Sequence, residues 1–355
     1  MKGKLIWLAA LSVSAALAWQ FLNVPISLLM MQRVATERLS SDTMNTLPDG
    51  LHVGLCGAGA PFPDEQRSGP CTLVVAGQHL FIFDSGSGSA RHIGAMRFNP
   101  GRIEAIFLTH FHSDHIDGLG ELMLQRWGVG ANSSPVPIYG PTGVEAVVSG
   151  FLQAYEQDHQ YRVAHHGNII LPSTGFGGVA KPFAMPGNEP VVVYKAKDLE
   201  ISAFAVDHAP IHPAVGYRIR YKDRSVVLSG DTRKSAAVAA AAKGVDLLVH
   251  EALSAPLVAI LRDSAAATGR HNLEQVFIDI VNYHSSPQEA AEVAEEAQVG
   301  YLLLNHIVPP LPLPGLKKEF LGDAGKRYSG PIQIGEDGDF ISLPAGSKRI
   351  DVSRK

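Results

Sequence analysis

Three imidazoles and a carboxylate fall within six consecutive positions of Thr109-His110-Phe111-His112-Ser113-Asp114-His115. They follow directly on the apolar run 103–108, which reads as a strand. A hydrophobic strand ending in such a cluster sets its ligands on a loop at the edge of a rigid sheet. Four donors in so short a segment exceed what one tetrahedral ion takes from it, so the pattern predicts a pair of metal ions. His110 and His112 alternate, so in extended backbone both imidazoles project from one side and can share an ion. Ser113 reads as the N-cap of a helix whose first turn swings Asp114 and His115 toward a second ion. Imidazole and carboxylate donors suit zinc, with iron or manganese as alternatives. The competing reading is a His-rich surface loop, which further ligand-type residues downstream disfavour.

This motif resembles the signature of the metallo-β-lactamase superfamily. In its ribonuclease Z and arylsulfatase-like branches, a histidine ahead of Gly-Tyr-Arg is a metal ligand. The resemblance therefore implies that role for His208, ahead of Gly216-Tyr217-Arg218. His212, between Ile211 and Pro213, is the rival and reads as a pocket or structural residue. Leu228-Ser229-Gly230-Asp231-Thr232 is similar to the family's turn bearing a bridging carboxylate, whose two oxygens can hold two cations about 3.5–4 Å apart. Leu302-Leu303-Leu304-Asn305-His306 ends a strand where the family places its last ligand. The implied set is His110, His112, His208 and Asp231 on one ion, and Asp114, His115, Asp231 and His306 on the other. Two divalent ions against two carboxylates and one hydroxide leave about one unit of positive charge, which favours an anionic substrate group. A water bridging such ions, its pKa lowered toward ~7, is the expected nucleophile, with Asp114 placed to orient it.

Three further features resemble the family's supporting residues. Phe83-Asp84-Ser85-Gly86 carries an acid like the one that orients a ligand imidazole, a turn-forming aspartate being the alternative. Val249-His250-Glu251-Ala252 and Tyr283-His284-Ser285 resemble the His-Glu-Ala and His-Ser motifs of ribonuclease Z. There the glutamate positions a histidine that protonates the leaving oxygen. The resemblance thus implies catalytic roles for Glu251 and His284; a surface helix cap is the other reading of His284.

The chain of 355 residues, 46% hydrophobic, can bury one large core. A net charge of −4 without a basic run disfavours a nucleic-acid partner. Lys2 and Lys4 precede an apolar stretch over 5–18, in which Ala16-Leu17-Ala18 fits a cleavage site, and apolar character persists to Met31. Residues 1–35 therefore read as a signal peptide or an N-terminal membrane anchor, with the remainder periplasmic or extracellular. Residues 36–48 read as a linker, 49–345 as the catalytic domain and 346–355 as a tail. The two cysteines, Cys56 and Cys71, read as buried unpaired thiols, with a disulfide across neighbouring strands as the alternative.

Strand-like runs at 51–55, 71–75, 80–83, 103–108 and 136–139 are followed by others at 191–194, 199–206, 215–221, 225–229, 246–250 and 301–304. Helical patterns lie at 116–127, 142–155, 235–242 and 287–297. Strands with helices interspersed twice over predict an α/β fold, two mixed sheets face to face with outer helices. This is the αββα sandwich that the resemblance implies. The Gly/Pro-rich stretch 167–190 reads as a functional loop, a wall of the pocket.

The resemblance spans about residues 51–343 and implies a dinuclear zinc hydrolase. It departs at one place. Ribonuclease Z enzymes that process tRNA usually carry a long basic, Gly/Pro-containing arm between the third histidine and the bridging aspartate, whereas here only 209–230 intervene. The expected substrate is thus a small phosphodiester or sulfate ester, and Arg162, in a region similar to arylsulfatase-like members, is a candidate for its anionic group. The alternatives are a lactonase, β-lactamase or thioesterase of the same fold, or a mono-iron sulfur dioxygenase. A homodimer is compatible with the class.

Overall fold

The computed structural model describes residues 2–355, apart from eleven side chains within residues 2–18. The side chains of Lys2 and of the Ala16-Leu17-Ala18 cleavage site lie outside what is described. The chain divides into residues 1–43 and residues 44–355. The first unit is a helix, Lys2–Ser40, interrupted in composition by Pro25. It is continuous through residues 36–40, which had the composition of a linker. Among the described residues no helix is long and apolar enough to cross a membrane.

The second unit is built on two sheets. In chain order the first contains β1 (Gly50–Gly57), β2 (Cys71–Ala76), β3 (His79–Phe83), β4 (Ile103–Phe107), β5 (Val136–Pro141) and β6 (Gly178–Phe183). The second contains β7 (Val191–Ala196), β8 (Leu199–Ala205), β9 (Val215–Tyr221), β10 (Arg224–Leu228), β11 (Leu247–Leu253), β12 (Leu302–Val308) and β13 (Ile332–Ile334). The chain then returns to the first sheet as β14 (Asp339–Pro344) and β15 (Asp351–Arg354). The orders are β15-β14-β1-β2-β3-β4-β5-β6 and β13-β12-β11-β10-β9-β8-β7.

Period-two alternation explains the layers. On β2, Val74 and Ala76 face the core between the sheets, while Leu73 and Val75 face a helix layer. On β11, Leu247 and Val249 face the same inter-sheet core, while Leu248 and Ala252 meet the opposite helices. Strands buried on both faces read as continuous apolar runs, and that is why these are legible in sequence. The architecture is the αββα sandwich expected.

The sheets are also tied by polar contacts beside the site. Buried Tyr217 on β9 donates its hydroxyl to the Leu108 carbonyl at 2.6 Å, and the Val215 N–H donates to the Thr109 carbonyl at 3.0 Å. The strands β3, β4, β10, β11 and β12 belong to the parallel parts of their sheets. Their C-terminal ends carry Asp84, the 109–115 loop, Asp231, Glu251 and His306, the usual location of a site in parallel sheets.

Several expectations are corrected. Cys56 and Cys71 form a disulfide rather than two free thiols, their Cα atoms 5.0 Å apart. The pairing of β1 with β2, irregular between Leu55 and Gly57, brings them together. The last residues are no tail, because β15 pairs antiparallel with β14. Stretch 167–190 contains the strand β6, whose Pro182 is tolerated at a sheet edge. Ser113 is the first residue of the helix Ser113–Ile116, capped by the His112 backbone with no side-chain bond.

Candidate metal centre

The local backbone aims each donor. Asp84 follows β3 in a left-handed conformation, φ 57°. Its carboxylate accepts the Thr109 N–H at 2.8 Å, the Thr109 hydroxyl at 2.8 Å and His115 Nδ1 at 2.8 Å. Asp84 thus sits where an imidazole-orienting acid belongs, and it leaves His115 Nε2 facing the cluster. Because the Thr109 hydroxyl donates to Asp84, it accepts from His110 Nδ1, 3.0 Å away, and so frees His110 Nε2 as a donor atom for a cation. His208 is fixed in the same manner, its Nδ1 lying 2.9 Å from the Tyr283 carbonyl.

Asp231 follows β10 through Gly230, whose φ is 61°. A Cβ at Gly230 would lie 2.6 Å from the Val215 carbonyl oxygen, so only glycine lets this turn close against β9. His306 depends on a bulge. Glu251 pairs with Asn305 and Ala252 with Ile307, so His306 is the extra residue, at φ 46°. Bulges re-aim side chains at the ends of strands, and this one turns the His306 ring toward the aspartates.

Among the described residues, two of the groups whose ligand atoms lie within 4.8 Å of one another are His110, His112, His208 and Asp231, and Asp114, His115 and His306. Asp231 links them. Its Oδ2 lies 3.9 Å from His110 Nε2 and from His208 Nε2, 3.4 Å from His115 Nε2 and 3.2 Å from His306 Nε2. Asp114 Oδ2 lies 3.5 Å from His115 Nε2 and 3.3 Å from His306 Nε2. His115 Nε2 and His208 Nε2 are buried without a hydrogen-bond partner. Orphaned buried nitrogens converging on a carboxylate are what a cation site leaves when only the protein is considered. The donor set fits two divalent ions.

The electrostatics agree. Burial favours a neutral Asp231, but His306 and His115 outweigh it and hold the carboxyl well below its usual range. Burial likewise opposes charge on His115, yet Asp231, Asp84 and Asp114 drive its proton affinity well up. The cluster is a place where buried carboxylates demand positive charge.

Glu251 stands behind this cluster, 1% exposed. Its Oε1 accepts His284 Nδ1 at 3.1 Å, the Ser285 N–H at 3.0 Å and the Thr232 N–H at 3.1 Å. The carboxylate thereby joins the turn after Asp231 to the loop bearing His284. The His284 ring stacks on His306 at 5.4 Å and lies 5.2 Å from His208, beside both halves of the centre. Burial opposes its protonation, but Glu251, through charge and hydrogen bond, and Asp231 lift its pKa to about 9. His284 also falls with Asp231 and His306 in a third group of ligand atoms within 4.8 Å.

His212 is exposed in the loop after His208, outside these groups. Arg162 lies on the helix Val144–His166 and donates to Asp158 at 2.7 Å. A cavity of about 290 Å³ opens on the centre, lined on one side by His112, Asp114, Asp231, His284 and His306. Its other side is Pro61, Phe62, Val276, Ile280, Tyr283 and Val308, and neither Arg162 nor stretch 167–190 contributes. Sequence reasoning missed these wall residues. Their only signal is the apolar spacing of Val276 and Ile280, on and just after a helix, His271–Asp279, that the sequence patterns do not predict.

Residues 81–307 match the family described as "Beta-lactamase superfamily domain". Ribonuclease Z of Mycobacterium sp. (strain KMS) is 35% identical over 297 residues, 83% of this chain and 97% of the relative. Among solved structures, the metallo-beta-lactamase fold protein YhfI from Bacillus subtilis superposes with a TM-score of 0.58 at 20% identity, over 83% of this chain and 100% of its own. Human tRNase Z, short form, gives 0.57 at 21% identity, over 82% and 99%. The sandwich, the paired histidine–aspartate clusters and a relative similar across nearly its whole length agree, and the chain belongs to the metallo-β-lactamase superfamily, in its ribonuclease Z family of metal-dependent hydrolases.

Proposed function

We propose that the chain is a zinc-dependent hydrolase of small phosphodiesters or sulfate esters that works outside the cytoplasm. His110, His112, His208 and Asp231 would hold one cation, and Asp114, His115, Asp231 and His306 the other. The observation that carries the reading is the place of Asp231, whose Oδ2 lies 3.9 Å from His110 and His208 and 3.4 and 3.2 Å from His115 and His306, with the Glu251–His284 pair alongside. When bound, two such cations activate water and neutralise charge on ester oxygens. The protein's own residues supply the rest. Asp84 and the Tyr283 carbonyl hold His115 and His208 in the tautomer that presents Nε2. Glu251 keeps a proton on His284 Nδ1, and the other ring nitrogen delivers a proton to the departing oxygen.

A second reading is hydrolysis of an RNA precursor, and the ribonuclease Z relatives favour it. Against it stand the acidic net charge and the short hairpin β9–β10 between His208 and Asp231, which leaves no arm to grip a long polyanion. Initial rates decide, measured on bis(4-nitrophenyl) phosphate, 4-nitrophenyl sulfate, a lactone, a β-lactam and an RNA with a 3′ extension. The diester or the sulfate should show the largest kcat/KM, and chelation should abolish it. Faster cleavage of the RNA would install the second reading instead.

Export is supported by the Cys56–Cys71 disulfide, since such bonds persist in oxidising compartments. The basic head Lys2/Lys4 and the apolar run behind it point the same way. A phosphatase reporter that functions only outside the cytoplasm, fused after Lys355, should be active. Activity confined to a cytoplasmic reporter at the same position would sink export and strengthen the RNA reading.

A further inference from the structure

The cavity on the metal centre is two-faced. One face is the donor cluster with His284. The other is mainly apolar, Pro61, Phe62, Val276, Ile280 and Val308, with Tyr283 beside them. The apolar face is well supported from behind. Phe277, the buried residue of the helix His271–Asp279, packs its ring against Phe62 at 5.6 Å. Val276 and Ile280, four residues apart, share the face that looks into the cavity. Ile280 and Val308 are buried, whereas Val276 remains 43% exposed at the mouth. A large apolar side chain left open beside a catalytic cluster is a surface waiting for an apolar group.

We infer that this wall binds an alkyl or aryl substituent of the ester, on the side from which the leaving oxygen departs. The inference rests on the ester-hydrolase reading above. His284 lines the same cavity, so the group seated there is the one whose oxygen it protonates. A nucleoside in that position would press its polar edges against Phe62, Val276, Ile280 and Val308, and outside the donor cluster only the Tyr283 and Ser113 side chains of the lining could pair with them. An alkyl chain or a plain aromatic ring loses nothing there and gains from leaving water. The expected substrate is therefore an anionic ester of an apolar alcohol or phenol.

Calorimetric binding of methyl-, butyl- and hexylphosphonate to the zinc-loaded protein tests this without any turnover. Each fully buried methylene is worth roughly fourfold in affinity, so hexylphosphonate should bind at least ~10-fold tighter than methylphosphonate even in a cavity this open. Val276→Asn, at an exposed position, should shrink that gain by ~3-fold or more. Equal affinities along the series, no binding by any member, or tighter binding of thymidine monophosphate than of hexylphosphonate would each overturn the inference. An unchanged gain in V276N would overturn the wall as its cause. The two readings fail separately. A chain-length gain without turnover of any ester removes the ester-hydrolase reading and keeps the apolar subsite, whereas turnover with equal affinities removes only the subsite.

Discussion

Asp231→Ala should lower the metal content from two ions per chain to one and reduce hydrolysis by at least ~10²–10³-fold, the usual loss when one preorganised electrostatic stabiliser is removed. Asp231 is 3% exposed, and its Oδ2 lies within 4 Å of ring nitrogens from His110, His115, His208 and His306. Its Oδ2 thus reaches histidines of both halves of the centre, so its loss leaves like-charged cations without a shared counter-charge. Elemental analysis of fully loaded protein measures the outcome directly. Two ions retained in the variant, or at most one in the parent chain, would remove the bridging role. Two controls separate the candidate histidines. His208→Ala should lose metal, because His208 is buried beside Asp231, whereas His212→Ala should keep it, because His212 is exposed. The reverse pattern would exchange their roles.

His284→Ala should keep both metals and a similar KM, yet lower kcat by ~10²–10⁴-fold, the worth of a positioned general acid. The geometry of Glu251 is the reason. Its Oε1 gathers His284 Nδ1 with two backbone N–H groups, so the imidazole is held at one angle and kept charged, its pKa raised to about 9 by that carboxylate against the effect of burial. The loss should be largest for alkoxide leaving groups and should shrink with nitrophenolate, which departs without a proton. Equal losses across leaving groups of very different pKa would mean that His284 positions substrate or supports the fold. Loss of a metal ion in the variant would instead make it a ligand, as its place near Asp231 and His306 allows.

Much of the centre is legible in the chain itself, because its chemistry is local. His110, His112, Asp114 and His115 lie in one segment, and their types state the ligand field whatever the rest of the chain does. The strands ending at Asp84, Asp231 and His306 are visible as apolar runs, because strands buried on both faces need them. The wall of the cavity is not visible in this way. Phe62 and Val276 belong to a loop and a helix whose meeting depends on packing across more than two hundred residues, and neither segment carries that distance in its composition.

The smallest details are set by register. Pairing of β1 with β2 brings Cys56 to Cys71 and turns two ordinary thiols into a crosslink. A single extra residue between β11 and β12 turns His306 toward Asp114 and Asp231, where an unbulged strand would send the ring to another face. Residue type and short spacing alone dictate which atoms can bind metal and which strands must be buried. Which of those atoms meet, and what apolar surface stands opposite them, is a matter of tertiary packing. Those are distances between segments far apart in the chain, and distances of that kind come from strand register and close packing rather than from any local preference.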